Sequence, residues 1–273
     1  MQAAPPLISV SIISHGHIDF IYQIIPKLIA IHQETPLEII ITFNLRAEFY
    51  DFSNEINRSP IKCIVNDKPK GFSENHNRAL SAAQGACFCV LNPDIILMGN
   101  PFPVLLSTLM TPGTGLVAPR IVNSAGELED SARKFPLPWK LFFRLLKPKG
   151  HCEYGDSDGL LHPDWVAGIF MLISRADFKE IGGFDSRYHL YYEDVDLCAR
   201  LRITGRSITW SGKVSVIHDA RRSSRQQWTY LRWHLESALR FFLSPVFFGI
   251  LKLKIGEAFS RLCKRIFRGR YSP

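Results

Sequence analysis

Three carboxylates fall within four positions in Tyr191-Tyr192-Glu193-Asp194-Val195-Asp196, shortly after the glycine pair of Ile181-Gly182-Gly183-Phe184-Asp185. Negative charge this dense between apolar residues is costly to hold unless a metal or a proton in transit is handled nearby. On a helix, Glu193 and Asp196 share a face, and Asp194 is turned away by about 100° per residue. One of the three then serves as a general base in a cleft while another pairs with Arg200 or Arg202 on the same helix. The competing reading is a solvated acidic helix start favoured by the helix dipole.

A fourth carboxylate closes Asn92-Pro93-Asp94, directly after the apolar run Ala86-Cys87-Phe88-Cys89-Val90-Leu91. An oxygen ligand behind a proline that stops a buried strand suits a hard divalent cation such as Mg2+, and an Asx turn is the alternative use. His218 ends another strand-like run, Val214-Ser215-Val216-Ile217, and introduces Asp219-Ala220-Arg221-Arg222-Ser223-Ser224-Arg225. A histidine with three arginines and two hydroxyls is the composition wanted around a diphosphate and its metal. Asp94 and His218 are therefore the metal candidates, with Arg222 on the phosphates. Lys70-Gly71-Phe72-Ser73-Glu74-Asn75-His76-Asn77 is a loop feeding a helix, able to cap it or to hold a sugar and nucleotide through hydrogen bonds. Neither Gly-x-Gly-x-x-Gly nor Gly-x-x-x-x-Gly-Lys-Ser/Thr occurs, so dinucleotide and ATP-hydrolysis readings lose their main support.

The elements that must position these groups are legible in outline. Leu7 to Ile13 is a β-branched run that breaks at Ser14-His15-Gly16-His17, and helical spacing follows at Ile21, Ile24, Ile25, Leu28 and Ile29. Strand-like runs recur at Leu37 to Phe43, Ile61 to Val65 and Ala86 to Leu91, with a helix around Asn75 to Ala83. Strands separated by helices imply a mostly parallel sheet that binds ligands at its carboxyl edge. From Pro101 onward prolines punctuate the chain, and only short elements are expected there. Trp165 to Ile173 is the exception, an apolar strand with Gly168 marking a bulge or a close approach by ligand.

At 273 residues and 46% hydrophobic content the chain can bury a full core. Its net charge of +8 is uneven: residues 200–273 carry 16 Lys or Arg against 3 Asp or Glu, and residues 1–199 carry 17 against 22. The basic part mixes aromatic and cationic residues, as in Leu239-Arg240-Phe241-Phe242-Leu243. Its uncharged stretch is shorter than the roughly 20 residues a membrane span needs. It suits either an interfacial helix on anionic lipid or a basic helix packed on the main domain. No nucleic-acid motif accompanies the charge. The six cysteines show no Cys-x-x-Cys spacing and read as reduced and structural in a cytosolic protein, and Met1-Gln2-Ala3-Ala4-Pro5-Pro6 does not read as a signal peptide.

In order and spacing, the first strand-loop-helix, Gly71-Phe72-Ser73-Glu74-Asn75-His76-Asn77, Asn92-Pro93-Asp94, Gly168-Ile169-Phe170-Met171, Gly182-Gly183-Phe184-Asp185, Glu193-Asp194-Val195-Asp196 and His218 resemble family 2 glycosyltransferases. The likeness is greatest to the bacterial rhamnosyltransferase-like branch. It implies a GT-A (Rossmann-like) fold over residues 1–238 with a helical basic and aromatic segment at 239–273. It also implies a nucleotide-diphosphate sugar donor, Mg2+ or Mn2+, and inversion at the anomeric carbon. Asp194 matches the family's catalytic base, Glu193 its acidic neighbour and Asp94 the metal carboxylate, whereas Asn92 replaces the first carboxylate of the usual Asp-x-Asp. Phe43-Asn44 stands where relatives carry Asp-Asn, and Ser14-His15-Gly16-His17 replaces Thr-Tyr-Asn. Ser14, Asn44, Lys70, Gly71 and Asn75 are therefore the candidates for the nucleotide, and Phe43 could stack on its base. Trp165, Gly168, His189 and Tyr191 are candidates for the acceptor, because aromatic faces suit sugar rings. The implied function is transfer of L-rhamnose from dTDP-L-rhamnose to a lipid-linked surface polysaccharide or O-antigen acceptor. Such a protein would sit peripherally on the inner face of the cytoplasmic membrane. UDP-hexose or UDP-N-acetylhexosamine donors, or a non-catalytic sugar-nucleotide-binding role, are the alternatives.

Overall fold

Apolar runs too short for helices alternate with amphipathic segments, and burying both faces of the resulting sheet requires helices on each side. The computed structural model describes residues 7–52, 60–137, 152–219 and 228–268. The first half reads β1 (Ile8–Ser14), α1 (Ile18–His32), β2 (Leu37–Phe43), α2 (Arg46–Phe52), β3 (Ile61–Val65), α3 (Phe72–Ala82), β4 (Cys87–Leu91) and α4 (Phe102–Leu109). Then follow β5 (Thr114–Val122), β6 (Ala132–Arg133), β7 (Leu160–Leu161), β8 (Trp165–Val166), β9 (Phe170–Ser174), α5 (Arg175–Glu180), α6 (Glu193–Ile203), β10 (Ser207–Ile217), α7 (Trp228–Phe242) and α8 (Pro245–Arg268).

The main sheet has the order β3-β2-β1-β4-β9-β5-β10-β7. Strands β3, β2, β1 and β4 are parallel, and β9 runs antiparallel to both β4 and β5. Two antiparallel steps cancel, so β5 and its parallel neighbour β10 end at the same edge as β4. That cancellation delivers His218 to the edge that carries Asp94. Alternation along each strand divides the core. Val10, Ile41, Cys89 and Leu172 face α1, α2 and α4, while Val90, Met171 and Ile173 face α3, α5, α6 and the C-terminal helices. Beneath α3 the sheet carries a polar patch in which Ser9 donates to Glu38 and Ser11 Oγ lies 2.8 Å from His76 Nδ1. Burial pushes His76 down to about 3, so it stays neutral.

Two expectations fail here. Trp165 to Ile173 is not one strand: β8 pairs with β6 in a separate small sheet, and β9 enters the main sheet after Ala167-Gly168-Ile169. Both halves are apolar because both are buried, and hydrophobicity does not mark a change of sheet. The proline-rich middle also holds β5, of nine residues. Pro119 is tolerated within it because the pairing register with β10 shifts just beyond, between Ser211 and Ser215. Among the described residues Cys87, Cys89 and Cys198 are buried thiols.

The C-terminal helices are continuous with the core. Position 239 lies inside α7, and Phe241, Phe247 and Ile250 are buried. On α8, Lys254 binds Asp164, and Glu257 accepts from Arg202 at 2.8 Å. The inner faces thus pack on the main domain, one of the two readings of the basic segment. The glycine pair before α6 has an equally concrete role. Gly183 has φ of +69°, and a β-carbon there would lie 2.5 Å from Asn77 Oδ1. Asn77 grips the Phe184 backbone from both sides, accepting its N–H at 2.9 Å and donating to its carbonyl at 2.7 Å. Gly183→Ala is expected to cost about 1–3 kcal/mol of unfolding free energy, measured by urea denaturation, through left-handed strain and loss of the Asn77 clamp.

Candidate active site at the carboxyl edge of the sheet

The metal-side pair is assembled by the sheet. After β4 the chain turns, and Ile96 and Ile217 exchange backbone hydrogen bonds of 2.9 and 3.1 Å, clipping the Asp94 loop to the end of β10. Asp94 Oδ1 then lies 3.5 Å from His218 Nε2. Burial works to raise the Asp94 pKa, but His218 beside it prevails and holds the carboxyl below its ordinary value. Asp94 Oδ1 and His218 Nδ1 are buried without a hydrogen-bond partner. Asp94 Oδ1, with the His218 Nε2 beside it, offers an oxygen and a nitrogen of the kinds that a hard or borderline cation takes. Among the described residues no group of three or more His, Cys, Asp or Glu could enclose a metal. The pair fits a cation whose remaining ligands come from a bound diphosphate.

Asp194 opens α6. Its Oδ2 accepts the Gly168 N–H at 3.1 Å, and its Oδ1 accepts the Val195 N–H at 2.8 Å. Ile169, next to Gly168, accepts the Asn92 N–H at 2.9 Å. The dipeptide Gly168-Ile169 therefore ties the base candidate to the loop that carries the metal candidate. Asp194 is half-buried, and desolvation raises its pKa although both N–H donors and Arg133 oppose the shift. Glu193 is fully buried, with Oε2 unpartnered, and is pushed well above its ordinary value by desolvation and by Asp194. Asp196 pairs with Arg200 at 2.8 Å, one of the two expected partners, whereas Arg202 turns to Glu257. Burial of Glu193 and Asp196 rules out a merely solvated helix start.

The turn before α6 is strained. Tyr191 and Tyr192 have φ of +70° and +66°, a region that costs a non-glycine residue about 1–3 kcal/mol and persists only where surroundings over-determine it. Helix α7 does so. His234 packs at 5.2 Å from Tyr191 and 5.5 Å from Tyr192, Phe241 at 5.6 Å from Tyr192, and Ser237 Oγ donates to the Leu190 carbonyl at 3.0 Å. His189 is exposed against Trp233. Trp165 is buried, its Nε1 donating to the Lys134 carbonyl and its ring carrying the Arg133 guanidinium at 5.2 Å, so its face is already occupied.

At the ends of β1 and β2 the nucleotide candidates form a scaffold. Asn44 Oδ1 accepts from the Lys70 N–H at 2.7 Å and from Asn66 at 2.8 Å, while its Nδ2 donates to the Lys70 carbonyl and lies 2.9 Å from His15 Nδ1. An asparagine has two donors and two acceptor sites, so Asn44 is saturated. Asn75 likewise bonds Asn66 and the Lys70 carbonyl. These amides shape the Lys70 backbone, whose side chain pairs with Glu74. At Gly71 a β-carbon would lie 2.6 Å from the His189 carbonyl, which accepts the Phe72 N–H; the glycine permits that approach. Phe43 cannot stack on a base, because it is fully buried against Phe49 and Phe52. Ser14 donates to Glu48 at 2.8 Å, and the His17 N–H donates to the same oxygen at 2.9 Å. Glu48, Asn66 and Arg133 escaped the sequence reading, since each is a single polar residue outside any dense motif. Arg222 lies outside the described residues.

Residues 9–182 match the family described as Glycosyl transferase family 2, and the chain belongs to that family. It is similar to rhamnosyltransferase WbbL of Escherichia coli K12, with 28% identity over 86% of this chain and 92% of that protein. It is also similar to the N-acetylglucosaminyl-diphospho-decaprenol L-rhamnosyltransferase of Mycobacterium tuberculosis H37Rv, with 28% identity over 56% of this chain and 53% of that one. Among solved structures it resembles GalNAc-T7 with UDP, GalNAc and Mn2+, with a TM-score of 0.65 and 14% identity over 87% of this chain and 48% of that one. It also resembles the mannosyltransferase PcManGT of Pyrobaculum calidifontis with GDP-Man and Mn2+, with a TM-score of 0.56 and 14% identity over 100% of this chain and 84% of that one. The fold is GT-A, and the protein is a glycosyltransferase.

A buried carboxyl whose folded pKa lies above its unfolded value binds its proton more tightly in the native state, so stability is greatest below the unfolded pKa and declines as pH rises towards the folded one. For Glu193 the ordinary value is 4.5 and the shift is upward. Denaturation midpoints should therefore fall as pH climbs above 4.5, and Glu193→Gln should flatten part of that decline.

Proposed function

We propose that this glycosyltransferase transfers L-rhamnose from dTDP-L-rhamnose, with inversion, to a lipid-linked saccharide acceptor of surface polysaccharide or O-antigen synthesis. The observation that carries the reading is the Gly168-Ile169 tie, which sets Asp194 beside the Asp94–His218 edge. Asp194 accepts the proton of the acceptor hydroxyl as its oxygen bonds to the anomeric carbon. The bond from that carbon to the diphosphate breaks, and the nucleoside diphosphate leaves. Asp94 and His218 would hold Mg2+ or Mn2+, which when bound neutralises charge on the departing diphosphate. Arg222 is assigned to the same phosphates. Ser14, Asn44, Lys70, Gly71, Asn75 and Asn92 frame the nucleotide side, and Gly168, His189 and Tyr191 the acceptor side, whereas the Trp165 ring is taken up by Arg133. Rhamnose is supported by the names of the two relatives, one of which also names a diphospho-decaprenol acceptor. No described helix is long and apolar enough to cross a membrane. The basic segment at 239–273 would instead lie on the cytoplasmic face of one.

A UDP-hexose or UDP-N-acetylhexosamine donor is the second reading. The saturation of Asn44 and the burial of Phe43 remove two of the expected base contacts, so neither residue selects dTDP over UDP.

Asp194→Asn should lower kcat by about 10^2–10^4-fold and leave the Kd for the donor nucleotide unchanged. In the wild type, the acid limb of kcat/KM should lie above the ordinary carboxylate range, because Asp194 must be ionised and burial raises its pKa. Unchanged turnover in the variant would remove its role. A thermal-shift titration with dTDP, UDP and GDP, each with and without Mg2+ or Mn2+, should show metal-dependent stabilisation, largest for dTDP. A larger UDP response would move the donor assignment, and no response to any would favour a non-catalytic protein.

A further inference from the structure

Helix α7 has two faces with different occupants. Its inner face seats the catalytic turn through His234, Ser237 and Phe241. On the opposite side Trp228, Leu231, Leu235 and Leu239 follow one another at spacings of three and four, and Leu243 continues the line past the helix end. All five are between 49% and 86% exposed. An apolar stripe this continuous on a water-soluble surface marks an interaction site.

The geometry points to an anionic lipid surface as the occupant of this stripe: we propose that α7 supplies the apolar contact by which the protein lies on a membrane, with the basic residues beyond it meeting the headgroups. The proposal rests on the reading of a lipid-linked acceptor. Three observations select lipid. Arg240 is exposed on α7, Arg232 is exposed and paired with Glu236, and residues 228–273 contain nine Lys or Arg against two Glu, seven of the nine beyond α7, so the segment as a whole complements anionic headgroups. The same charge opposes a two-fold interface with a second copy, where like charges would face each other. Trp228 at the start of the stripe is an exposed amphipathic side chain of the kind that anchors at a membrane interface. The catalytic turn lies against the other side of the same helix. Docking through the stripe would bring the turn before Asp194, which packs on the same helix, towards the membrane surface.

The test uses the full chain and vesicles of phosphatidylcholine alone or mixed with phosphatidylglycerol, in a sedimentation assay. Wild type should bind the phosphatidylglycerol vesicles at least tenfold more tightly, and added salt should weaken the binding. Leu235→Glu/Leu239→Glu should lower that binding at least tenfold while keeping the wild-type melting temperature and nucleotide-induced shift. Ile255→Glu/Phe259→Glu on α8 should lower it less. Failure of wild type to bind either vesicle, equal binding to both, or a larger loss from the α8 pair would overturn the proposal. So would a change from dimer to monomer in the α7 variant with vesicle binding unchanged. Vesicle binding needs no turnover, so loss of the donor or acceptor assignment leaves this result standing, and the reverse also holds.

Discussion

The hydrogen bond from the Gly168 N–H to Asp194 is the interaction on which the site turns. It exists because the chain leaves the small sheet at Val166 and enters the main sheet at Phe170, crossing the carboxyl edge in three residues. In that crossing Ile169 takes the Asn92 N–H, so the loop after β4 and the start of α6 are referenced to one short piece of backbone. Asp94 and Asp194 are then both referenced to one short backbone crossing between two sheets rather than to a long loop. Effective catalysis depends on placement at this scale, since small displacements of reacting groups are expensive in rate.

The electrostatics follow from the same placement. Asp94 sits beside His218 and is held in its charged form. Glu193 and Asp194 occupy a drier site, where desolvation raises both and Glu193 more strongly. Two carboxylate environments on one edge thus separate Asp94, whose charged form is favoured, from a pair whose protonated forms are favoured by burial. Arg133, above the buried Trp165, contributes positive charge to the second environment from the small sheet.

Legibility in the sequence followed local regularity. Strands β2 and β3 agree with the expected bounds to the residue, because Pro36 and Asn44, and Pro60 and Asn66, bracket the two β-branched runs. Pairing of Asp196 with Arg200 was legible because it is an i,i+4 helix contact. The split between β8 and β9 was not, since a change of sheet leaves no trace in side-chain polarity. Nor was the saturation of Asn44: its partners Asn66 and Lys70 are 22 and 26 positions away, and only the fold shows that they consume its hydrogen-bonding capacity. Glu48 is hidden for the same reason, as its partner Ser14 is 34 positions distant.

The seating of Tyr191 and Tyr192 on α7 has a consequence for the order of events during synthesis. A chain is made from its N-terminus, and the sheet with both of its metal-side groups is complete by His218. The left-handed turn before Asp194 still lacks His234, Ser237 and Phe241 at that moment. Domains fold as units while the chain emerges, N-terminal parts first. The nascent protein therefore has a core before the turn that carries Asp194, the proposed base, is seated, and that seating arrives together with the helix that carries the exposed leucine stripe.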